Sequence, residues 1–372
     1  MDIFTKELIN RLRNIDGSLK TNSINISSVC NGSCFFCSNK WNPFEIHKGL
    51  FCSLDYVYKA LDFIDDRFEL RLSDTLPGRL SEGEVFLHPQ FFEILNLIRE
   101  RFPYIIIDIT TNGTLLTKDF IDKLKIYKPL HIRISYHSNN PSNWSKLLGL
   151  DEDKYYIVKN AIDQLVNEEI SIGFNIVTMP NLVGYEDIDK TMGYLSQYPS
   201  NSFQLWFPGH TKYTPVKIVE KMLYDKNEMK SFVQKMTKKH KLMFLFSPSL
   251  RPLNFTPITI INNIRWLYKN VYWLFSEEAF KDNSLLLTKL NKYEPLTVNN
   301  SIMVKNESYG GNITVSGLLM VEDFKRVMKK ILLEKNVDCF ILPRNAFDSM
   351  NNDISGTSNY ELKQFDIPII YG

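Results

Sequence analysis

The sequence lacks the features of an exported, membrane-spanning or nucleic-acid-binding protein. Its net charge is only +2, from 44 basic and 42 acidic residues, so no strong field of one sign points to nucleic acid or an anionic membrane as a partner. The N-terminal stretch Met1–Lys20 has no uninterrupted apolar run of the kind that a signal peptide needs. Polar residues interrupt the most apolar later segment, Phe255–Phe275, which excludes an ordinary membrane span. We therefore expect a cytoplasmic protein that binds neither nucleic acid nor membrane.

Cysteine is also scarce, and its distribution is uneven. Three of the five cysteines, Cys30, Cys34 and Cys37, lie within one short segment. An odd number of cysteines in a chain without an export signal fits a metal site better than a disulfide framework. The spacing C-x3-C-x2-C places three thiolates on one tight loop. Such a loop can bind three irons of a [4Fe–4S] cluster and leave the fourth iron without a protein ligand.

Short β-rich runs alternate with amphipathic helical stretches from Ser23 to Phe207. Six strand-then-helix units in a row predict a parallel sheet with right-handed crossovers. Six units are fewer than the eight of a closed barrel, so the predicted fold class is α/β, an open (β/α)6 partial TIM barrel with its functional groups at the C-terminal ends of the strands. The predicted strands are Ser23–Val29, Phe68–Leu72, Tyr104–Thr110, Leu130–Tyr136, Ile170–Val177 and Ser202–Phe207.

The character of the chain changes after Phe246. Residues 247–298 are rich in aromatic side chains, and residues 299–372 again alternate between strand and helix patterns. This alternation predicts a small C-terminal α/β domain. The predicted division of the chain is an N-terminal extension at 1–22, a core domain at 23–246, an aromatic-rich connection at 247–298 and the C-terminal domain at 299–372.

The cysteine loop resembles the signature of the radical S-adenosylmethionine (SAM) superfamily. In the segment CNGSCFFC at 30–37, an aromatic residue precedes the third cysteine, as it does in that family. The resemblance implies a [4Fe–4S] cluster held by Cys30, Cys34 and Cys37, with SAM bound at the open iron and Phe36 packed near the adenine. It also implies that SAM is cleaved to a 5′-deoxyadenosyl radical, with the electron supplied by a donor such as flavodoxin or ferredoxin.

Further segments of the core resemble motifs of the same family. The segment SEGEV at 81–85 resembles the G-G-E-P segment that binds the SAM ammonium, although its first and last positions depart from that motif. The segment TTNGT at 110–114 resembles the family's T-N-G turn, and SYHS at 135–138 begins with a serine where the family has a ribose-binding one. By position in the family, Asn175 reaches the ribose and Val177 packs on the adenine. The residues that the resemblance assigns to cofactor binding are Phe36, Glu82, Gly83, Glu84, Asn112, Ser135, Asn175 and Val177.

Two residues are candidates for a direct part in the reaction, Cys52 and Tyr136. Cys52 follows the cysteine loop and is either a hydrogen-atom donor or a packing residue, and Tyr136 lies in the SYHS segment. His137 is a lesser candidate, as a proton carrier, because an ordinary histidine titrates near neutral pH. Cys339 lies within an apolar run, where a free cysteine usually packs as a small hydrophobe.

The later half of the chain resembles one subgroup of the superfamily. The segment PGHTKY at 208–213 resembles a P-x-G-x-T-K-Y stretch of that subgroup, and GGNITVSGLL at 310–319 and VDCFILP at 337–343 resemble its C-terminal domain of unknown function. One member is the methanogen enzyme that C-methylates an arginine in a protein, so the resemblance favours a peptide or protein substrate. That enzyme uses cobalamin, which therefore stays open as a further cofactor, although no separate cobalamin-binding domain is recognisable here.

Two other functions stay open on the sequence. The same radical chemistry can act on a small metabolite in a specialised biosynthetic route. Alternatively, the three loop cysteines and Cys52 form a closed zinc or iron–sulfur site in a non-catalytic binding module. Zinc sites usually come as paired C-x2-C units, which this loop is not. The sequence therefore favours an enzyme that takes hydrogen from a carbon of its substrate.

Overall fold

The computed structural model describes residues 22–47, 49–72, 83–199, 202–241, 244–246, 268–282, 300–347 and 351–371. The chain divides into two compact units, and their described residues lie between Asn22 and Phe246 and between Tyr268 and Tyr371. None of the helices in these ranges is both long enough and apolar enough to cross a membrane. The predictions for Met1–Lys20 and Glu82 fall outside the described residues, as does residue 81 of the SEGEV segment.

Six parallel strands form the sheet of the first unit, and they follow one another across the sheet in chain order. Among the residues that the structure describes, the first and last strands are the two edges and do not pair with each other, so the sheet is open. The predicted α/β class, with an open partial barrel and a second small α/β unit, is confirmed. The strands are β1 (Leu70–Arg71), β2 (Ile107–Thr111), β3 (Leu130–Ser135), β4 (Ser171–Val177), β5 (Ser202–Trp206) and β6 (Phe244–Phe246).

Helices follow most of these strands, and polar side chains fix where several of them begin. Ser53 accepts a hydrogen bond from the N–H of Tyr56, and Thr117 accepts one from Phe120, so each satisfies an N–H group that the first helical turn leaves unpaired. The helices of the first unit are α1 (Leu54–Leu61), α2 (Phe91–Arg101), α3 (Lys118–Leu124), α4 (Pro141–Leu148), α5 (Glu152–Asn167), α6 (Pro180–Leu195, kinked at Gly184), α7 (Val216–Met222) and α8 (Lys226–His240).

The prediction of a regular strand at Ser23–Val29 is wrong. The segment forms only a parallel bridge from Ser23 to Arg71, and on its other side an antiparallel bridge from Ser27 to Phe51. Ile26 lies between the two neighbours, since its N–H donates to the carbonyl of Leu72 and its carbonyl accepts from Cys52, but within the described residues the two bridges stay isolated and form no continuous ladder. The sixth strand of the sheet is instead β6, which pairs with β5.

Strands β2 to β5 separate apolar from polar side chains, because successive residues point to opposite faces. Ile109, Ile134 and Phe174 belong to the apolar face and are fully buried. A Cβ placed on Gly113 would lie 3.0 Å from Val158 of α5 and 3.6 Å from Ile134, so this face packs against the helices. The opposite face carries the polar side chains, listed here from β2 to β5: Asp108, Thr110, His131, Arg133, Ser135, Asn175 and Gln204.

The elements of the second unit are β7 (Val271–Ser276), α9 (Glu277–Asp282), β8 (Ser301–Val304), α10 (Val321–Glu334), β9 (Cys339–Leu342) and β10 (Ile369–Tyr371). The four strands form a parallel sheet in the order β10-β9-β7-β8. Residues 247–298 were predicted as a connection, yet β7 lies inside that range and pairs with both β8 and β9. The reason is its alternation: Tyr272 and Leu274 pack with Phe324 of α10, while Trp273 packs with Cys339 on the other face.

Candidate functional site

The cysteine loop, residues 30–37, lies against the C-terminal end of α4. The N–H of Ser33 donates to the carbonyl of Leu148 at 2.9 Å. The helix ends at Gly149, whose φ of +62° suits glycine, and a Cβ at this position would lie 2.4 Å from the Ser33 carbonyl oxygen. The absence of a side chain at Gly149 therefore allows the loop to approach the helix closely.

Two of the three loop sulfurs lie beside the same glycine. A Cβ on Gly32 would lie 3.7 Å from Sγ of Cys30 and 3.8 Å from Sγ of Cys34, and the N–H of Gly32 donates to Cys30 Sγ at 3.3 Å. Burial raises the pKa of Cys30, Cys34 and Cys37, and the neighbouring cysteines raise that of Cys34 further. Positively charged iron opposes both effects, since it binds and stabilises thiolates. The donor set and its spacing therefore fit a [4Fe–4S] cluster.

The turn after β2 contacts the cysteine loop directly. The side-chain amide of Asn112 donates to Asn31 Oδ1 at 2.8 Å and lies 4.0 Å from Sγ of Cys30. Asn31 in turn donates to Thr114 Oγ1 at 2.9 Å, and Asn112 Oδ1 accepts from the N–H of Thr114. The predicted turn residue Asn112 and the cysteine loop are thus brought together in one hydrogen-bonded network.

Gly83 and Glu84 lie beside the segment that leads into the loop. The N–H of Gly83 donates to the carbonyl of Ser27, and that of Glu84 donates to the carbonyl of Val29, both at 2.8 Å. A Cβ on Gly83 would lie only 2.3 Å from the Val29 oxygen. This approach explains why the position requires glycine, as the family motif suggests.

The carboxylate of Glu84 is buried and bonded to the same turn. Its Oε1 accepts from the hydroxyl of Thr111 at 2.7 Å, and its Oε2 accepts from the N–H of Asn112 at 2.8 Å. Burial raises the pKa of Glu84 to about 7, although these hydrogen bonds and one from Phe86 act in the opposite direction. The carboxylate therefore joins its segment to the turn, and its part in binding the SAM ammonium stays a prediction.

Phe36, His137 and Val177 form a second group close to the loop. The rings of Phe36 and His137 pack edge to face, with centroids 4.8 Å apart. His137 Nδ1 accepts the N–H of Val177 at 3.0 Å, so the proton of the neutral ring is on Nε2. Burial lowers the pKa of His137 to about 3. The ring stays neutral near pH 7, which argues against His137 as a proton carrier.

One row of polar side chains crosses the sheet at Ser135, Asn175 and Gln204, which are partners in register on β3, β4 and β5. Asn175 and Gln204 are each only 8% exposed, and within the described residues neither Asn175 Oδ1 nor Gln204 Oε1 has a hydrogen-bond partner. Leaving a buried polar group unpaired costs about 1–3 kcal/mol. The row is therefore suited to a ligand that donates hydrogen bonds.

Gln204 was not identified from the sequence. It belongs to no motif, and a glutamine within a β-rich run gives no functional signal of its own. The alternation with its buried neighbours Phe203 and Leu205 would have placed it on the same face as Asn175, once β4 and β5 were known to be paired.

A buried ion pair lies on the same face, toward the N-terminal ends of the strands. Arg133 Nη2 is 2.7 Å from Asp108 Oδ2, and both side chains are almost fully buried. Arg133 precedes Ser135 by one step on this face of β3. The pair fills the interior beneath the row, so the row opens toward the C-terminal ends of the strands.

The structure does not bring Tyr136 to this row. Its hydroxyl lies 2.9 Å from Asn139 Oδ1 and 2.9 Å from the hydroxyl of Tyr155 on α5, and its ring stacks on Tyr194 of α6. Tyr136 therefore faces the helices, opposite to Ser135. Burial and the contact with Tyr155 raise its pKa. This placement gives no support to a direct catalytic role for Tyr136.

Two hydrogen bonds connect Cys52 to residues other than the three cysteines of the loop. Its thiol donates to the carbonyl of Asn25 at 2.9 Å, and its own carbonyl is 2.8 Å from His88 Nε2. In the part of the chain that the structure describes, no group of three or more His, Cys, Asp or Glu side chains converges on a single ion. The thiol of Cys52 is thus bonded to the backbone of the Ser23–Val29 segment, and its role as a hydrogen-atom donor stays a prediction.

The fold and the site together define a class of protein: an open parallel α/β sheet with a three-cysteine loop and a polar interior row. Residues 24–195 match the family model described as Radical SAM superfamily, and the match supports this superfamily as the family of the chain. Members of the superfamily use a [4Fe–4S] cluster and SAM.

Individual proteins match only parts of the chain. This chain is 28% identical over 142 residues to a probable GTP 3′,8-cyclase of Saccharolobus islandicus. The match covers 38% of this chain and 42% of the cyclase. This chain is also 29% identical over 99 residues to the antilisterial bacteriocin subtilosin biosynthesis protein AlbA of Bacillus subtilis. That match covers 27% of this chain and 20% of AlbA. The chain thus spans less than half the length of these curated relatives. The crystal structure of Streptococcus suis SuiB bound to S-adenosylmethionine is similar with a TM-score of 0.45 at 16% identity, covering 63% of this chain and 53% of SuiB.

Proposed function

We propose that this protein is a radical SAM enzyme that takes hydrogen from a carbon of a peptide or protein substrate. The observation that carries the proposal is the cysteine loop, whose spacing leaves one iron of a cluster open and which Asn112 ties to the sheet. When bound, a [4Fe–4S] cluster supplies the electron that cleaves SAM into methionine and a 5′-deoxyadenosyl radical.

The residues of the chain then have separate tasks. The three loop cysteines hold the cluster. Ser135 and Asn175 bind the ribose hydroxyls of SAM, for which the buried acceptor Asn175 Oδ1 is free within the described residues. Phe36 and Val177 pack on the adenine, with His137 held between them as a neutral ring. The helices cover the outer face of the sheet, so that water is kept from the radical on that side.

The choice of a peptide or protein substrate rests on two similarities. The segments at 310–319 and 337–343 resemble the C-terminal domain of the subgroup that includes the methanogen arginine C-methyltransferase. In addition, AlbA is named for the biosynthesis of a bacteriocin. The subgroup also leaves cobalamin open as a further cofactor, and the proposed electron donor is a flavodoxin or ferredoxin in the cytoplasm.

A small metabolite is the second candidate substrate. The observation that favours it is the match to the GTP 3′,8-cyclase, which extends over more residues than the match to AlbA. The two matches cover 38% and 27% of this chain. The nature of the substrate therefore depends on experiment.

The test of the reaction class is anaerobic reconstitution with iron and sulfide, followed by reductant and SAM. We expect the release of 5′-deoxyadenosine, and we expect Cys34→Ala to abolish it together with most of the bound iron. Cys339→Ala is the matched control, because Cys339 is buried in the sheet of the second unit. This variant should still release 5′-deoxyadenosine and bind iron. A protein that binds one zinc ion per chain and never cleaves SAM would instead be a non-catalytic module.

The substrate class is tested by isotope transfer. The genes beside this one are searched for a short precursor peptide, and such a peptide is prepared with deuterated side chains and added to the active protein. Deuterium in the released 5′-deoxyadenosine would support the peptide substrate. Transfer from deuterated GTP and not from the peptide would support the metabolite.

A further inference from the structure

The cysteine loop lies at the protein surface. Cys30, Asn31 and Ser33 are exposed, although the thiols themselves are largely buried. A cluster held by this loop therefore lies close to the surface on the side away from the polar row. The rate of electron transfer falls steeply with distance, so a protein that delivers an electron to the cluster must dock on the surface around the loop.

Lysine side chains surround this part of the surface. Lys221 on α7 places Nζ 5.8 Å from the ring centroid of Phe35, whose N–H donates to the carbonyl of Leu147. Lys217 lies one turn earlier on the same helix, on the same face as Lys221. Lys40 lies in the short helical turn Ser38–Trp41 after the loop, with Nζ 5.2 Å from the ring centroid of Trp41.

Two chain segments meet at this surface and carry an excess of positive charge. Residues 30–47 and 208–222 are joined by a hydrogen bond from Thr211 Oγ1 to Asn42 Oδ1 at 3.1 Å. Together they contain four lysines and two glutamates. Phe44, which is 66% exposed, adds an apolar side chain to the same stretch.

The lysines of this surface differ from many others in the first unit. Lys59, Lys118 and Lys190 each form an ion pair with a carboxylate four residues away on the same helix. Within the described residues, Lys40 and Lys217 take part in no ion pair, and the same holds for Lys221. Their charge is therefore available to a partner.

We propose that Lys40, Lys217, Lys221 and Phe44, here called the basic rim, form the docking surface for an acidic one-electron carrier protein. The inference rests on the proposed function, because only a cluster in the loop requires a carrier. One electron leaves the reduced flavin or iron–sulfur centre of the carrier, which is oxidised, and enters the oxidised cluster, which is reduced. Opposite charges on the two proteins speed their encounter and orient the complex, while Phe44 supplies apolar contact.

The test compares two reductants that differ in charge. Reconstituted protein is mixed anaerobically with a reduced, acidic flavodoxin or with reduced methyl viologen, a small cation, and cluster reduction is followed by absorbance. We expect Lys217→Glu/Lys221→Glu to lower the bimolecular rate with flavodoxin about tenfold or more at low ionic strength, and added salt to shrink the difference. The rate with methyl viologen should not fall. Calorimetry with oxidised flavodoxin should show weaker binding by the variant, independently of any turnover.

The matched control carries the same charge change elsewhere. Lys235 and Lys238 are exposed near the C-terminal end of α8, which leads to the N-terminal end of β6, whereas the cysteine loop lies at the C-terminal ends of the strands. Lys235→Glu/Lys238→Glu should leave the flavodoxin rate within about twofold of wild type. The proposal would be overturned if both double variants lowered the flavodoxin rate equally, or if Lys217→Glu/Lys221→Glu did not lower it. Lys217→Gln/Lys221→Gln gives a milder version, with an intermediate rate expected, should the glutamates disturb α7.

Failure of the proposed function has a different signature. A protein that assembles no cluster, or that releases no 5′-deoxyadenosine when methyl viologen is the reductant, is not a radical SAM enzyme, whatever the flavodoxin result. A protein that is active with methyl viologen and reduced equally fast by flavodoxin in wild type and variant keeps its function but does not use the basic rim.

Discussion

Asn175 and Gln204 are partners in register on β4 and β5, and each holds a buried side-chain oxygen that lacks a hydrogen-bond partner within the described residues. Two such groups side by side lower the stability of the ligand-free protein. Ser135 lies next to Asn175 in the same row. A row that costs stability without a ligand is most simply explained as a binding site.

The first prediction concerns Asn175→Leu. Because it removes a buried unpaired amide and keeps the branched shape of the side chain, we expect the free energy of unfolding of the ligand-free protein to rise by about 1 kcal/mol. Loss of the ribose contact should weaken SAM binding about tenfold, the equivalent of 1.4 kcal/mol. Urea unfolding and anaerobic equilibrium dialysis with SAM measure the two effects.

Gln204→Met is the comparison for this prediction. It should raise stability for the same reason, yet leave SAM affinity within about twofold of wild type, because it lies one strand further from Ser135. If Asn175→Leu lowers stability and leaves SAM binding intact, the amide has a structural partner and the row is not the ribose site.

Tyr136→Phe tests whether Tyr136 is catalytic. Its hydroxyl contacts Asn139 and Tyr155 and faces the helices, so its removal should lower the free energy of unfolding by about 1 kcal/mol. The rate of 5′-deoxyadenosine release should stay within about threefold of wild type, because no transition-state contact is lost. Tyr155→Phe, which removes the other hydroxyl of the pair, should behave alike. A stable Tyr136→Phe protein without activity would restore the catalytic role.

Glu84→Gln tests a specific dependence of stability on pH. The pKa of Glu84 is about 7 in the folded protein, against 4.5 ordinarily, so the folded state keeps a proton that the unfolded chain releases. Stability from this source is present below pH 4.5 and falls as the pH rises to 7, by on the order of 3 kcal/mol. Urea unfolding at pH 4.5 and pH 7 should show that wild type loses more stability across this window than Glu84→Gln. Parallel losses would mean that the carboxylate titrates normally.

The sequence predicts what depends on local spacing. The cysteine loop is a short motif, and alternating strand and helix patterns leave few arrangements other than a parallel sheet. The T-N-G turn could likewise be placed after a strand, where Asn112 does contact the loop. These features need no knowledge of how distant segments pair.

What the sequence does not predict depends on partners that are far away in the chain. Ser135 and Tyr136 are adjacent, and only the register of β3 decides which of them joins the polar row. Ser23–Val29 has the composition of a strand, yet within the described residues it forms only isolated bridges to segments on its two sides. The role of β7 in the second sheet depends in the same way on its pairing with β8 and β9.

Gly83→Ala tests whether the close contact between Gly83 and Val29 is needed to position the cysteine loop. The added methyl group would lie 2.3 Å from the Val29 oxygen and 2.6 Å from the carbonyl carbon of Ser28, and backbone atoms cannot rotate away as a side chain can. We expect a loss of about 1–3 kcal/mol in the free energy of unfolding. Because Val29 directly precedes Cys30, the displaced backbone should also lower the iron bound per chain after reconstitution.

The control for this last prediction is Gly32→Ala, inside the loop itself. Its added methyl group would meet the Leu148 oxygen at 3.6 Å and Cys30 Sγ at 3.7 Å, which are ordinary contacts. We therefore expect its stability to change by less than about 1 kcal/mol. If Gly83→Ala matched wild type in both stability and iron content, the contact between Gly83 and Val29 would not be what positions the first cysteine, and the hydrogen bonds of Asn112 would have to hold the loop without it.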